Sequence, residues 1–199
     1  AKGVNTNTFF GENVGRNATG INNTAIGQNA LRTNTTGSYN AAIGQSALYA
    51  NTTGNSNMAI GVSALGSNTT GVNNTAIGTY ALLANTTGGY NAAIGQNAGR
   101  LISNGSNNTI TNNSIFIGGN TRALNNNETN QIVIGDSAIG LGSNSVVLGN
   151  RLITITQLRG QVIMGAFESA PTGIEGAIYY NYTTKRHFGF DGTNWNELY

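Results

Sequence analysis

The side chains that most often carry acid–base chemistry are sparse in this chain. His187 is the only histidine, and it follows two basic residues, Lys185 and Arg186. The seven acidic residues are spread from Glu12 to Glu197, so their spacing nominates no Ser-His-acid set and no pair of carboxylates. We therefore predict that the chain is not an enzyme and has no catalytic residue.

Metal and cofactor chemistry has equally little support. The chain has no cysteine, which excludes thiolate metal sites and disulfides. Calcium-binding β-roll repeats need a regularly placed Asp, and no acidic residue lies between Glu12 and Glu128. The Gly-rich stretch at Gly140 and Gly142 lacks the lysine and the strand-to-helix context of a phosphate loop. We predict no cofactor and no metal. For metals, the sequence excludes only a site that is repeated in every coil.

Aromatic side chains offer a different chemistry, stacking on sugar rings. The last 23 residues hold seven of the 15 aromatics. These aromatics form either a sugar platform or the core of a small module. A receptor site in this segment would use Tyr182, Lys185, Arg186, His187, Asn194 and Trp195. Tyr39 and Tyr90 share one column of a repeat, where they either stack on sugars or pack against a neighbouring coil or chain.

The element that positions these residues is a repeat. Residues 23–90 are four copies of one 17-residue unit, which reads NTAIGQNALRTNTTGSY in the first copy. A fixed period this short indicates one small unit stacked on itself, with local contacts. Each apolar run is short and precedes a Gly, so we predict two short strands and two turns per coil. The alternative, a helical repeat, does not fit, because 17 residues cannot hold two helices and their loops.

The repeated positions form columns that we assign to the structure rather than to a ligand. Stacked coils lie about 4.8 Å apart, so identical residues lie above one another and stacked Asn can form amide ladders. The columns contain Asn23, Ile26, Gly27 and Leu31; Asn40, Ile43, Gly44 and Leu48; Asn57, Ile60, Gly61 and Leu65; and Asn74, Ile77, Gly78 and Leu82.

Composition points to a coil that is stabilised by association. Only 8% of residues are charged, and none lies between Thr33 and Gly99. Each coil offers about one Ile, one Leu and two Ala for burial, which scarcely offsets the entropy cost of ordering 17 residues. We predict an obligate oligomer, most simply a homotrimer. The net charge of +2 does not indicate nucleic-acid binding, and no apolar run is long enough to cross a membrane.

The predicted domains follow the phase of the repeat. Residues 1–22 read as an irregular first coil, with Phe9 and Phe10 covering one end, and residues 23–150 as the roll. The later units NSIFIG, NQIVIG and NSVVLG pair Ile115 with Ile117, and Val146 with Leu148, on one face that we expect to hold the core firmly. Residues 151–176 form an exit strand and connector, and residues 177–199 a small antiparallel meander.

The Asn-x-x-x-Ile-Gly units resemble the head repeats of trimeric autotransporter adhesins, and the 17-residue NTAIG and NTTG variant resembles repeats of bacteriophage tail-fibre proteins. The likeness covers roughly residues 7–150. The GAIYYN and GFDGTNW tail is similar to segments of tail-fibre and surface proteins. The resemblance implies a left-handed parallel β-roll, assembled as a trimer. It departs from adhesin heads in its longer unit, and it shows no neck motif or coiled-coil stalk.

The sequence thus predicts an all-β, homotrimeric β-solenoid with a C-terminal meander, serving as a phage tail-fibre or spike segment that attaches to a host surface without catalysis. The location would be extracellular, on the virion. Expected partners are two further copies, fibre or virion proteins at the ends, and a host glycan or protein. The alternative is a bacterial surface adhesin or self-assembling extracellular filament on the cell surface. A glycan-cleaving spike and an ice-binding Thr array are further alternatives.

Overall fold

A computed structural model of the chain describes residues 6–154, 166–167, 178–181 and 183–198. These residues form strands, turns and irregular segments, and they contain no helix. The all-β prediction is therefore confirmed. The described part also has no helix long and apolar enough to span a membrane. The chain divides into two compact units, Ala1–Thr154 and Ile155–Tyr199.

The strands are short, mostly two to four residues. The first nine are β1 (Thr8–Phe10), β2 (Thr24–Ile26), β3 (Ala41–Ile43), β4 (Met58–Ile60), β5 (Thr75–Ile77), β6 (Ala92–Ile94), β7 (Leu101–Ile102), β8 (Thr111–Asn112) and β9 (Ile115–Ile117). The other eight are β10 (Arg122–Ala123), β11 (Glu128–Thr129), β12 (Gln131–Ile134), β13 (Ser145–Leu148), β14 (Ala166–Phe167), β15 (Ile178–Asn181), β16 (Arg186–Phe190) and β17 (Trp195–Leu198).

The first unit is a parallel β-solenoid. Nine strands form one sheet in the order β1-β2-β3-β4-β5-β6-β9-β12-β13, and each neighbouring pair is parallel. The register joins equivalent repeat positions, such as Ala25 with Ala42. Partners in successive coils are 17 residues apart through the repeat and 16 apart in the first coil. They are 23 apart in the coil that begins at Asn91, which carries a six-residue insertion, and 14 apart in the last full coil. The predicted solenoid of 17-residue coils is confirmed.

The prediction of two strands in every coil is wrong for the repeat copies. Each copy has one three-residue strand, and the Ala30-Leu31 pair lies in a turn. Leu31, Leu48, Leu65 and Leu82 all have φ between 47° and 50°. The left-handed backbone lets the Leu31 N–H bond the Ala47 carbonyl of the next coil at 3.0 Å while its side chain is fully buried. Second strands form only around the insertion, where β7 pairs with β10 and β8 with β11.

The core is narrower than the sequence predicts. Each early coil buries two alanines and one leucine, such as Ala25, Ala30 and Leu31. Ile26, which we expected inside, is 39% exposed. The reason is the strand alternation: the middle residue of each three-residue strand points inward, so its two neighbours point outward. Ile115, Ile117, Val146 and Leu148 are outward for the same reason, and Phe116 and Val133 fill the later core instead.

Two asparagine ladders replace much of the missing apolar core. In the first, Asn51 donates from Nδ2 to Asn34 Oδ1 at 2.8 Å, and Asn68 donates likewise to Asn51 at 2.9 Å. In the second, the backbone N–H of Asn40 bonds Asn23 Oδ1 at 3.0 Å. Both ladders also donate to one carbonyl column, whose first member is Gly37 O. The predicted amide ladders are confirmed, and all these side chains are buried.

The glycine after each strand is required by backbone geometry. Gly61 has a φ of 132°, and a Cβ added to it would lie 2.6 Å from the carbonyl carbon of Gly78 in the next coil. An L side chain avoids this φ, and the coil spacing leaves no room for a methyl group. The Gly27, Gly44 and Gly78 positions repeat the arrangement.

The first coil is irregular, as predicted, but only one of its two phenylalanines is packed against the core. Thr8 pairs with Thr24, which makes this coil one residue shorter than the repeat. Phe9 packs against the core, whereas Phe10 is 76% exposed on the outer side of β1. Of the predicted exit strand, residues 151 and 152 form a turn. Residues 155–165 and 168–177 lie outside the described part, so the remainder of that prediction stays open.

The second unit contains the predicted meander. β15, β16 and β17 form an antiparallel sheet, and β14 joins β15 in parallel. The turns lie at residues 183–185 and 192–193, where the sequence placed them. Asn181 Oδ1 accepts the backbone N–H groups of Thr183 and Thr184, which fixes the first turn.

Candidate functional site

The largest chemically distinct surface of the first unit is the outward side of its nine-stranded sheet, which we call the outer sheet face. It consists of the first and third residues of β2 to β6 and β9, and of the corresponding outward positions of β12 and β13. None of these residues is charged. They are Thr24, Ile26, Ala41, Ile43, Met58, Ile60, Thr75, Ile77, Ala92, Ile94, Ile115, Ile117, Ile132, Ile134, Val146 and Leu148.

The outer sheet face is continuous because every strand is in register with the next. Seven intervals between its eight strands, at ~4.8 Å each, give it a length of roughly 34 Å. Ile94 is 44% exposed and Val146 60% exposed, so the larger side chains are half open rather than packed within the chain. Soluble monomers rarely expose apolar patches of this extent, and such patches typically mark association sites.

The corners beside this face are polar. Gln45 Nε2 donates to Gln28 Oε1 at 3.3 Å, and Gln28 donates to Glu12 Oε2 at 2.8 Å. On the loop corner, Thr35 Oγ1 bonds the Thr52 carbonyl at 2.9 Å, and Thr52 repeats this with Thr69. Polar rungs therefore run along the solenoid beside the apolar outer sheet face.

The predicted receptor residues lie in the second unit and are not brought together. Lys185 lies in the turn before β16, with a φ of 63°, and Arg186 pairs with Glu197. Asn194 lies in the turn after β16. The five residues of β16 separate the two turns by roughly 15 Å at ~3.3 Å per residue. Tyr182 lies outside the described residues.

His187 and Trp195 also belong to different surfaces. His187 packs on Tyr180 with ring centroids 5.0 Å apart, and Trp195 packs on Phe190 at 5.2 Å. Neighbouring residues of a strand point to opposite faces, so His187 lies on the other face from Arg186. Among the described side chains, the ring pairs Tyr180–His187 and Phe190–Trp195 therefore lie on opposite faces of the meander.

The second turn carries the clearest electrostatic feature. Asp191 Oδ1 accepts the backbone N–H groups of Asn194 at 2.7 Å and Thr193 at 2.9 Å, and Oδ2 accepts from Asn196 Nδ2. These hydrogen bonds hold the pKa of Asp191 below its ordinary value. On the neighbouring strands, the hydrogen bond that Arg186 donates to the Glu197 carboxylate, together with its negative charge, raises the pKa of Arg186. Both interactions hold the hairpin of β16 and β17 together.

Tyr39 and Tyr90 are 61% and 63% exposed, so neither packs into a neighbouring coil of its own chain. Sequence reasoning missed two other aromatic contacts. The Arg32 guanidinium lies 5.6 Å from the Tyr49 ring centroid, and Arg100 lies 5.1 Å from that of Tyr80. Arg32 and Tyr49 are one repeat apart, so the 17-residue period carried the signal for the first contact.

One apolar cleft of about 720 Å³ opens at the C-terminal end of the solenoid core. Leu124, Ile139, Leu141, Val147 and Leu152 line it, and among its described lining residues only Arg151 is charged. The described part of the chain also contains no group of three or more His, Cys, Asp or Glu side chains that could hold a metal ion together.

No protein-family model matches the chain, and no curated protein matches it.

Proposed function

We propose that the chain is a structural and adhesive fibre segment of a phage tail fibre or spike, which attaches to a host surface as a homotrimer and without catalysis. The observation that carries the proposal is the outer sheet face. It is uncharged along all of its length, and it is bordered by polar rungs. Its isoleucines and methionine remain partly exposed, several of them by about two-fifths, while the smaller alanine of each repeat strand is buried.

Three copies meeting through this face would bury side chains that one chain leaves in water. Fully burying an Ile contributes about 1.5–3 kcal/mol, so the open two-fifths of each contributes roughly 1 kcal/mol per residue. Ile26, Ile43 and Ile94 each have this exposure, and Val146 and Leu148 have more. Summed along the face, the gain supports an obligate oligomer, such as the trimer that the resemblance implies.

The attachment role is supported by the second unit and by the resemblance of its tail to tail-fibre and surface proteins. Phe190 and Trp195 form a tilted ring pair beside exposed polar turns, a combination that suits sugar binding. The two faces of the meander give two places for a ligand. The scarcity of charge argues for recognition by stacking and hydrogen bonding rather than by electrostatic attraction.

The test of assembly is sedimentation equilibrium of the wild type, Ile43→Asp and Thr53→Asp. Ile43 lies on the outer sheet face, and Thr53 lies exposed on the loop corner of the same coil. We expect three times 20.6 kDa for the wild type and Thr53→Asp, and loss of the trimer for Ile43→Asp. A monomeric wild type, or an Ile43→Asp trimer of unchanged stability, would refute the assembly.

The attachment test uses the same three proteins, fluorescently labelled, on a panel of bacterial cells and on a glycan array. Saturable binding by the wild type and Thr53→Asp, lost together with the trimer in Ile43→Asp, is expected. Release of reducing sugar ends during the assay would contradict the non-catalytic role. Absence of binding to every cell and glycan would contradict attachment.

A further inference from the structure

The two asparagine ladders end in the later coils, where bulkier polar residues replace their members. Thr111 takes the place of Gly88: its carbonyl accepts Asn91 Nδ2 as Gly88 O accepts Asn74 Nδ2. Glu128 follows in the same column, because it is the register partner of Thr111. Gln131 continues the Asn91 column through Ser114, whose Oγ accepts the Gln131 backbone N–H at 3.2 Å.

The side chains at these positions point into the solenoid. A Cβ added to Gly54, in the same column as Thr111 and Glu128, would lie 2.4 Å from the buried Asn51 Oδ1. Substituents in this column are therefore directed at the interior amides. Thr111 and Gln131 are fully buried accordingly.

Glu128 and Gln131 reach the same turn of the last full coil. A Cβ added to Gly140 would lie 2.2 Å from Gln131 Oε1, so the amide oxygen lies against that residue. A Cβ added to Gly142 would lie 3.6 Å from Glu128 Oε1. The two glycines are separated by one residue, so the ends of both side chains adjoin one short stretch of backbone.

The interior polar atoms at this point are unsatisfied. Asn108 Oδ1, Thr111 Oγ1, Glu128 Oε2 and both amide atoms of Gln131 are buried and have no hydrogen-bond partner. We call these four residues the interior oxygen cluster. In the ladder that runs from Asn23 to Asn91, by contrast, no described side-chain amide atom is buried without a hydrogen-bond partner. An unsatisfied buried group typically costs about 1–3 kcal/mol, so several together indicate a ligand that the ladder coils do not need.

We propose that the interior oxygen cluster binds one Ca²⁺-type cation. All four residues offer oxygen, one of them as a carboxylate, and oxygen ligands of this mixture are what Ca²⁺ takes. Thr111 and Glu128 lie on successive coils ~4.8 Å apart. Two oxygens on opposite sides of a Ca²⁺ ion, each at ~2.3–2.6 Å, are separated by about the same distance.

The charge favours a cation over water alone. Glu128 Oε1 accepts one hydrogen bond, from Asn125 Nδ2 at 3.1 Å, and within the described residues Glu128 makes no salt bridge. Glu128 is itself partly exposed, but its Oε2 atom is buried. Water would satisfy the Thr, Asn and Gln groups, whereas a cation would also compensate the charge of the carboxylate. A cation would also join three successive coils at the end of the solenoid where the ladders stop. With a single carboxylate, affinity is expected in the range of extracellular modules, a Kd of about 10⁻⁴–10⁻³ M.

The test is thermal unfolding of the full chain after EDTA treatment and dialysis, with CaCl₂ or MgCl₂ added back. All four ligand residues belong to one chain, so the result does not depend on the proposed trimer. At ~100 times Kd, bound Ca²⁺ should raise Tm by roughly 5–10 °C. The shift should vanish in Glu128→Gln, which keeps the size of the side chain and an acceptor for Asn125. It should persist in Asp136→Asn, which removes an exposed carboxylate of the neighbouring coil.

Isothermal titration calorimetry of Ca²⁺ binding to the wild type and to Thr111→Val gives a second readout. This readout does not require the Glu128 variant to be stably folded. We expect one site per chain in the wild type and at least a tenfold weaker affinity in Thr111→Val. A wild type that neither binds Ca²⁺ nor changes its Tm would overturn the proposal and leave interior water as the occupant. An equal Tm shift in the wild type and Glu128→Gln would place the cation elsewhere and overturn it as well.

Discussion

Replacing Asn51 with Asp tests the ladder with the smallest possible change in shape. Asn51 Nδ2 donates to Asn34 Oδ1 at 2.8 Å and to Gly54 O at 3.0 Å, while its Oδ1 accepts from Asn68. Asp keeps the acceptor and places a second oxygen where the donor was. Two hydrogen bonds then become two contacts between oxygens, in a position with no exposure to water.

The magnitude follows from which atoms lose their donor. Asn34 Oδ1 is left without a partner, at about 1–3 kcal/mol, whereas Gly54 O still accepts from Asn40 Nδ2 at 2.9 Å. The uncompensated buried charge adds roughly 3–5 kcal/mol if the carboxylate stays ionised. A total of about 4–8 kcal/mol at pH 7 corresponds to a fall in Tm of roughly 10–30 °C.

The sign of the pH dependence separates charge from shape. Burial raises the pKa of the new carboxyl in the folded state above its ordinary value. Below that ordinary value both states are protonated, so the charge penalty is absent. The penalty grows as pH rises above it and levels off above the raised folded pKa. The new carboxyl, once protonated, would also donate to Asn34 Oδ1, so part of the stability should return near pH 3.5.

The assay is far-UV circular dichroism during heating, at pH 7 and pH 3.5, for the wild type, Asn51→Asp and Asn55→Asp. Asn55 lies exposed in the same coil, and its Oδ1 accepts the Ser38 N–H, which Asp can also accept. We expect Asn55→Asp to match the wild type within a few degrees at both pH values. If Asn51→Asp unfolds at the same temperature as Asn55→Asp at pH 7, the ladder does not stabilise the solenoid and the reasoning is refuted.

Two further predictions concern backbone and charge. Gly61→Ala should lower Tm far more than Gly105→Ala, because Gly61 would meet Gly78 of the next coil at 2.6 Å whereas Gly105 has no atom within 4 Å of an added Cβ; similar Tm values would contradict the corner argument. Asp191 has a lowered pKa in the folded state, so its contribution to the stability of the second unit is fully present above about pH 3.8, the ordinary pKa. That stability is lost as the pH falls through the lower pKa of the folded state. Asp191→Asn should remove that acid-induced loss, measured by Trp195 fluorescence between pH 5 and pH 2, and an unchanged acid transition would count against the hydrogen-bonded turn.

The sequence predicted those parts of the fold that depend only on the period. Residues 17 apart must stack when the coil repeats, so the register of Ala25 on Ala42 and the Asn34–Asn51 amide bond followed from spacing alone. Spacing alone did not predict which side of each strand faces the interior. An Ala-Ile-Gly strand can bury either its Ala or its Ile, and hydrophobicity alone favours the Ile. The structure buries the Ala because Leu31 already occupies the interior.

The same competition for interior volume explains the later coils. Phe116 takes the alanine position in β9, and Gly99 takes the leucine position of the adjacent coil. A Cβ added to Gly99 would lie 2.8 Å from Phe116 Cδ2, so the ring occupies the space that a leucine would need. The two changes compensate, but they are separated in the chain and fall within a drifting repeat. Pattern reasoning that treats each column by itself could not link them.

The receptor residues were the least predictable part. Lys185, Asn194 and Trp195 lie close in sequence, and proximity along the chain suggested one site. A meander reverses direction at each turn, so residues on either side of a strand separate by the length of that strand, and alternate residues separate by face. Arg186, Glu197 and Asp191 are engaged within the hairpin.

The distribution of side chains in the first unit reverses the usual arrangement. Its interior is alanine, leucine and hydrogen-bonded asparagine, and a row of its larger aliphatic side chains lies on one outer face. Asparagine ladders satisfy the interior but contribute little net free energy per bond, about 1 kcal/mol, against an ordering cost of similar size per residue. In the proposed assembly, the remaining stability comes from burial of the outer sheet face. We therefore expect folding and association to be one equilibrium, so that Tm rises with protein concentration. A Tm independent of concentration over a hundredfold range would mean that the polar interior suffices alone.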